Sequence, residues 1–176
     1  MLSKWFATFD SAQHVDLTWI VEKHQKIDAE TAGSGDEVGC LSSRQQVDLL
    51  ITKHWLRMLV WQIAMSKCLL SSGSSEQSMS LLFPIGISKQ LRELIASVSK
   101  QDIEVHGSGI QQKLFELTDT IASVVLTVPA SSLQERRQRV DDFNFLFRFW
   151  KSLPRPNSVQ QELLESKHSK LSEMEL

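Results

Sequence analysis

The residues in this chain best equipped for chemistry lie in Glu104-Val105-His106-Gly107-Ser108-Gly109, where a histidine stands beside a Gly-Ser-Gly step. Histidine and serine together suggest acyl transfer, in which the imidazole takes the hydroxyl proton within hydrogen-bond reach. A nucleophile elbow, however, carries Gly-x-Ser-x-Gly on a sharp turn between a strand and a helix. Here the glycines flank Ser108 directly and no strand-like segment precedes them. His106 therefore reads as a hydrogen-bonded residue on a helix face, and no catalytic residue is assigned. The step is also too short for a phosphate loop and lacks the Lys-Ser or Lys-Thr that would follow one.

The other reactive side chains are scattered. His14, His24, His54, His106 and His168 form no i, i+4 pair and no H-E-x-x-H arrangement, and Cys40 and Cys68 stand alone, so neither a metal nor another cofactor is expected. Asp141 and Asp142 are adjacent, which on a helix turns them about 100° apart and away from a shared reaction centre. They read as surface groups, as does Glu135, placed to pair with Arg139 one turn on. The one basic concentration is Arg136, Arg137, Arg139, Arg148, Lys151 and Arg155, interleaved with Phe143, Phe145, Phe147, Phe149 and Trp150. Basic and aromatic residues together can hold nucleic acid. Helical spacing instead puts Phe143, Phe147 and Trp150 on one face, which predicts a core stripe. Phe145 and Phe149, with Arg148 and Lys151, are then left to meet a protein partner.

These residues must be positioned by helices. From Gln101 to Val128, Ile103, His106, Ile110, Leu114, Leu117, Ile121, Val124 and Val128 recur every three or four residues, the mark of one helix with a buried seam. Gly107 and Gly109 each weaken such a helix by roughly 1 kcal/mol, so with His106 they predict a seam where another helix approaches closely. Further helices are expected over 11–29, over 43–70 with a Ser43/Gln46 capping box, over 88–99, over 132–153 with a Ser132/Glu135 box, and from Ser158 with Val159, Leu163 and Leu164 docked. Around Trp55–Ile63 the second helix is apolar on more than one side and becomes the candidate centre of the core. The fold class is all-α, an irregular bundle of about five to six helices. Residues 1–164 form a single domain with loops near 30–42 and 71–80, and 165–176 form a frayed charged tail.

Composition agrees with a folded chain: 176 residues, 41% hydrophobic and 23% charged, suit one domain with a core of its own. A net charge of −2 gives no overall pull toward nucleic acid or an anionic membrane. The most apolar window, Ile121–Ala130, is about half the roughly 20 residues of a membrane span, and Asp10 interrupts the opening before a secretory signal can develop. A reduced cytoplasmic or nuclear setting is expected.

Four segments carry a family resemblance: Trp55-Leu56-Arg57-Met58-Leu59-Val60-Trp61-Gln62; Leu81-Leu82-Phe83-Pro84; Glu104 to Ile110 continuing through Gln112-Lys113-Leu114-Phe115-Glu116; and Asp141-Asp142-Phe143. Over Val47 to Leu164 the chain resembles the C-terminal, non-DNA-binding part of fungal binuclear zinc-cluster transcription factors, including those associated with secondary-metabolite gene clusters. The resemblance implies a helical regulatory region acting through protein contacts. The family's DNA reader needs six cysteines around two zinc ions, and this chain has two cysteines in total. It is therefore expected to be a truncated factor or a regulator without its own DNA reader, with no direct contact to nucleic acid. The alternative expectations are a small helical enzyme or ligand-binding protein using a His106/Ser108 pocket, or a cluster-encoded protein with no discrete activity.

Overall fold

A computed structural model describes residues 15–32, 41–70, 76–154 and 156–173. The start expected for the first helix at Ser11, the glycines of the loop at 33–39, Cys40, residues 71–75, Arg155 and the last three residues lie outside the described residues. Seven α-helices are described: α1 (Leu17–Ala32), α2 (Ser43–Ser66), α3 (Phe83–Ser97), α4 (Lys100–Glu104), α5 (Gly107–Thr127), α6 (Leu133–Lys151) and α7 (Ser158–Glu173), with a 3-10 turn at Gln77–Met79. No strand occurs among the described residues. The all-α class stands, but the expected count of five to six is one short because the seam is two helices. The break falls at Val105–Gly107, where Gly107 takes φ +63°, a left-handed conformation that costs glycine little and other residues much.

The α2 helix opens one residue earlier than expected. Ser42 Oγ accepts the Gln45 backbone N–H and Gln45 Oε1 accepts the Ser42 N–H, so the capping box is Ser42/Gln45 rather than Ser43/Gln46. It also closes earlier, at Ser66, and Cys68 leaves the helix with φ +56° instead of lying within it. Two stripes of α2 are buried. Val47, Ile51, Met58 and Trp61 enter the main core, whereas Val60 and Ala64 form a second core with Ile20 and Ile27 of α1 and Met79 of the 3-10 turn. The loop expected near 71–80 therefore ends in a plug: Met79 is buried, and the Trp61 indole donates to the Ser80 carbonyl at 2.8 Å.

The α3 helix begins at Phe83 rather than Ser88. Proline is harmless in a first turn, where the backbone N–H has no partner to lose, so Pro84 starts the helix instead of preceding it. The middle of the bundle is α5, which packs against α2, α3, α4, α6 and α7 and buries Ile110, Leu114, Leu117, Ile121 and Val124 as the spacing predicts. The expected stripe of α6, Val140, Phe143, Phe147 and Trp150, is likewise buried. At the C-terminal end the outcome differs. Val159 and Leu163 are exposed, Leu164 and Leu171 are the buried contacts, and helix continues from Glu165 to Glu173 where fraying was expected. Burial of Leu171 is joined there by charge: Lys167 Nζ pairs with the Asp119 carboxylate of α5 and donates to Ser123 Oγ at 2.8 Å.

Candidate interaction surface

The structure separates the two residues of the hydrolase-like motif. His106 stands at the N-terminal boundary of α5, half-buried, with Nε2 3.0 Å from the Arg44 carbonyl, tying the α4–α5 corner to the start of α2. Ser108 is exposed and lines a groove of about 300 Å³ with Glu104, Gly107, Ile110, Gln111, Leu153 and Pro154. His106 is not part of that lining, so the shared His106/Ser108 pocket is not assembled. The expected close approach at the glycines is absent as well. Both are exposed, and a Cβ at either Gly107 or Gly109 would meet no heavy atom within 4 Å. Gly107 is explained by its left-handed backbone; nothing in the structure explains glycine at 109.

The partner-facing residues proposed from sequence divide three to one. Phe145, Arg148 and Phe149 line one groove of about 580 Å³, completed by Arg92, Asp141 and Asn144. It runs where α3 packs on α6. Phe145 and Phe149 are half-buried, leaning on the main core while keeping part of each ring in the groove. Arg148 is exposed and makes no ion pair among the described residues. Lys151 lies elsewhere: its ammonium is 2.6 Å from Glu165 Oε1 on α7 and 5.9 Å from the Phe147 ring centroid. That contact, with Gln161, holds the Glu165 carboxyl below its usual range.

The wall of the groove contains residues that spacing missed. Arg92 reaches from α3 to place its guanidinium 5.2 Å from the Phe145 ring centroid and its Nη1 2.7 Å from Asp142 Oδ1. Gln138 Nε2 donates to the same oxygen at 3.0 Å. Asp142 is only 1% exposed, so the expectation that both adjacent carboxylates are surface groups holds for Asp141 alone. The Asn144 Oδ1 is buried without a hydrogen bond. Ion pairs between helices fifty residues apart leave no periodic trace. The only signal was an acid, Asp142, beside the buried stripe position Phe143.

A second polar cluster lies between α1, α2 and α3. His24 and His54 are buried, and both ring nitrogens of His24 and Nδ1 of His54 lack hydrogen bonds. The His24 ring stands edge-on to Phe83 at 5.2 Å, and Arg57 lies 5.1 Å from the same ring. Both imidazoles are lowered to about 4, chiefly by burial and then by the Arg57 charge, with Lys53 adding to the effect at His54 and Asp28 opposing it. These are neutral packing groups near pH 7. No group of three or more potential ligands is gathered for a metal among the described residues.

Against known proteins, no family model matches the chain, and no solved structure matches it. A stretch of 101 residues, 57% of the chain, is 26% identical to the Respiratory transcription factor ZNF1 of Saccharomyces cerevisiae. That likeness supports a transcription-factor-related region of fungal type. The chain spans about a fifth of that relative's length, 20% of it lying in the match. Among the described residues no helix is long and apolar enough to cross a membrane.

Proposed function

We propose that this chain is a helical effector region of a transcription regulator, similar to the C-terminal part of fungal zinc-cluster factors, and that it works in the nucleus by protein contact along the α3–α6 groove. The observation that carries the reading is the pairing of Phe145 and Phe149 with the unpaired Arg148 on one exposed face of a chain related to a transcription factor. An aromatic floor with a charged rim is the composition of a protein contact site, in which rings supply area and arginine supplies direction. Two cysteines cannot build a six-cysteine zinc cluster, so in this proposal promoter recognition is supplied from outside the chain. Regulation of a biosynthetic gene cluster is the setting that the family resemblance supports.

The reading is tested by fusing the chain to a heterologous DNA-binding domain in a fungal reporter strain. Arg148→Glu, at an exposed position, and Phe149→Leu, which keeps an apolar side chain on the core, should each lower reporter output several-fold while circular dichroism and melting of the purified chain change little. Full reporter output from both folded variants would exclude the groove as the contact surface.

A further inference from the structure

The elbow between α5 and α6 holds a groove of about 510 Å³, distinct from the one above, whose walls are Val125, Leu126, Val128, Pro129 and Leu133 with Arg136 and Arg139 at the polar end. Its volume falls within the roughly 300–1,000 Å³ of small-molecule sites, and its lining joins those apolar walls to Thr127, Ser131, Ser132 and the two arginines. Leu133, which heads α6, is 73% exposed.

The polar end is cationic and only partly neutralised. Arg139 is 3% exposed; its Nη1 donates to the Val128 carbonyl at 3.0 Å and its Nη2 to Glu135 Oε1 at 2.5 Å, while its buried Nε makes no hydrogen bond. Glu135 is the one acid in the first turn of α6, and its other oxygen is taken by the Ser131 backbone N–H at 2.8 Å and hydroxyl at 2.5 Å. One acid is thus shared among Arg136, Arg137 and Arg139, and it is already committed to Arg139. Arg136 lines the groove with no ion pair among the described residues. Arg136 stands near the start of α6, a nineteen-residue helix whose N-terminus carries the positive end of its dipole, with the Glu135 amide already capped by Ser132 Oγ at 3.1 Å.

We infer that this elbow is a binding site for a small apolar carboxylic acid, its hydrocarbon part against Val125, Val128 and Leu133 and its carboxylate at Arg136 beside the α6 N-terminus. An uncharged amphiphile fits the walls but leaves the cationic end unmatched, and a short hydrophilic anion does the reverse. Both halves are needed, so the chemistry selects a molecule with both. Arg139 positions the site rather than closing it, since Nη1 and Nη2 hold the elbow through Val128 and Glu135.

The test is titration calorimetry on the full chain with octanoate, 1-octanol and acetate. Octanoate should bind saturably, 1-octanol about tenfold or more weakly, and acetate not measurably. Arg136→Met, which keeps the apolar stem, should weaken octanoate by about tenfold and leave 1-octanol unchanged. Leu133→Ser, at an exposed position that cannot collapse the core, should weaken both. Absence of saturable octanoate binding up to its solubility limit would overturn the assignment, as would unchanged octanoate binding in both variants.

Discussion

Asp142 shows how a single buried charge can organise a surface while staying hidden from it. Its carboxylate fixes Arg92, which in turn lies over Phe145 and shapes the groove. The two partners are unequal, because Arg92 retains 40% exposure and Asp142 1%. Removing the acid leaves an arginine that water can reach; removing the arginine leaves a buried carboxylate with only Gln138 beside it. Arg92→Met should therefore cost about 2–3 kcal/mol, below the range for fully buried pairs because one side of this pair is wet. Asp142→Asn should cost about 1 kcal/mol. Urea unfolding of the two variants decides it, and an equal or reversed order would contradict the asymmetry. At this scale the sequence was legible where local spacing governs: Val140, Phe143, Phe147 and Trp150 are buried as a stripe, and Glu135 meets Arg139 one turn on. It was not legible where a residue answers to another helix. Asp142 and Arg92 are the examples. A local competition was equally hidden: the second oxygen of Glu135 turns to Ser131 instead of completing a box with Ser132.

Among the elements, α1 is the one whose attachment depends on protonation. It is held to the bundle through α2 and the 3-10 turn, across the interface that contains His24, His54, Arg57 and Phe83. The charged groups around the two imidazoles are Arg57, Lys53 and Asp28, two cations against one anion. Both histidines titrate near 4 in the folded chain against 6.5 for an unstrained imidazole, so between those values the unfolded chain binds more protons. Stability is then complete above about pH 6.5, falls as the pH drops toward about 4, and levels off below that, at up to about 1.4 kcal/mol per pH unit for each histidine. Melting curves from pH 7.5 to 4.5 should show this decline, and His54→Leu should flatten it. A profile unchanged by that substitution would assign the acid sensitivity to other groups. Helix ends were the part of the elements that the sequence concealed. Ser42 and Ser43 are equivalent as caps by type, each with a glutamine three residues on, and Ser42 takes the role. Likewise the charge-rich end of α7 looked unanchored because its anchors, Asp119 and Ser123, lie on a different helix.

For the molecule as a whole, the two cores predict two levels of stability. The main core surrounds α5 with contributions from α2 through α7, while the smaller one joins α1, α2 and the 3-10 turn. Native-state hydrogen exchange should find the amides of Leu114–Val124 the slowest, opening only with global unfolding, and those of Ile20–Ile27 faster by a local route. Equal protection in both helices would mean that the cores unfold as one. The all-helical class followed from periodicity because periodicity records which face of each helix is buried. The arrangement around α5 did not follow, since the same seam would serve at the centre or at the edge of a bundle.

The bonds that lock α2 to α5 have a consequence for how the chain is made. Trp55 Nε1 donates to Glu116 Oε2 at 2.5 Å and Gln62 Nε2 to Thr120 Oγ1 at 2.8 Å, partners 61 and 58 residues apart. During synthesis at about 5–20 residues per second, α2 leaves the ribosome several seconds before α5 exists to receive it. Over that interval α1 can shield one of its two apolar stripes, and the stripe bearing Ile51, Met58 and Trp61 stands bare. That nascent surface is the place for a chaperone to hold, and the step at which substitutions that leave the finished fold sound would still lower its yield.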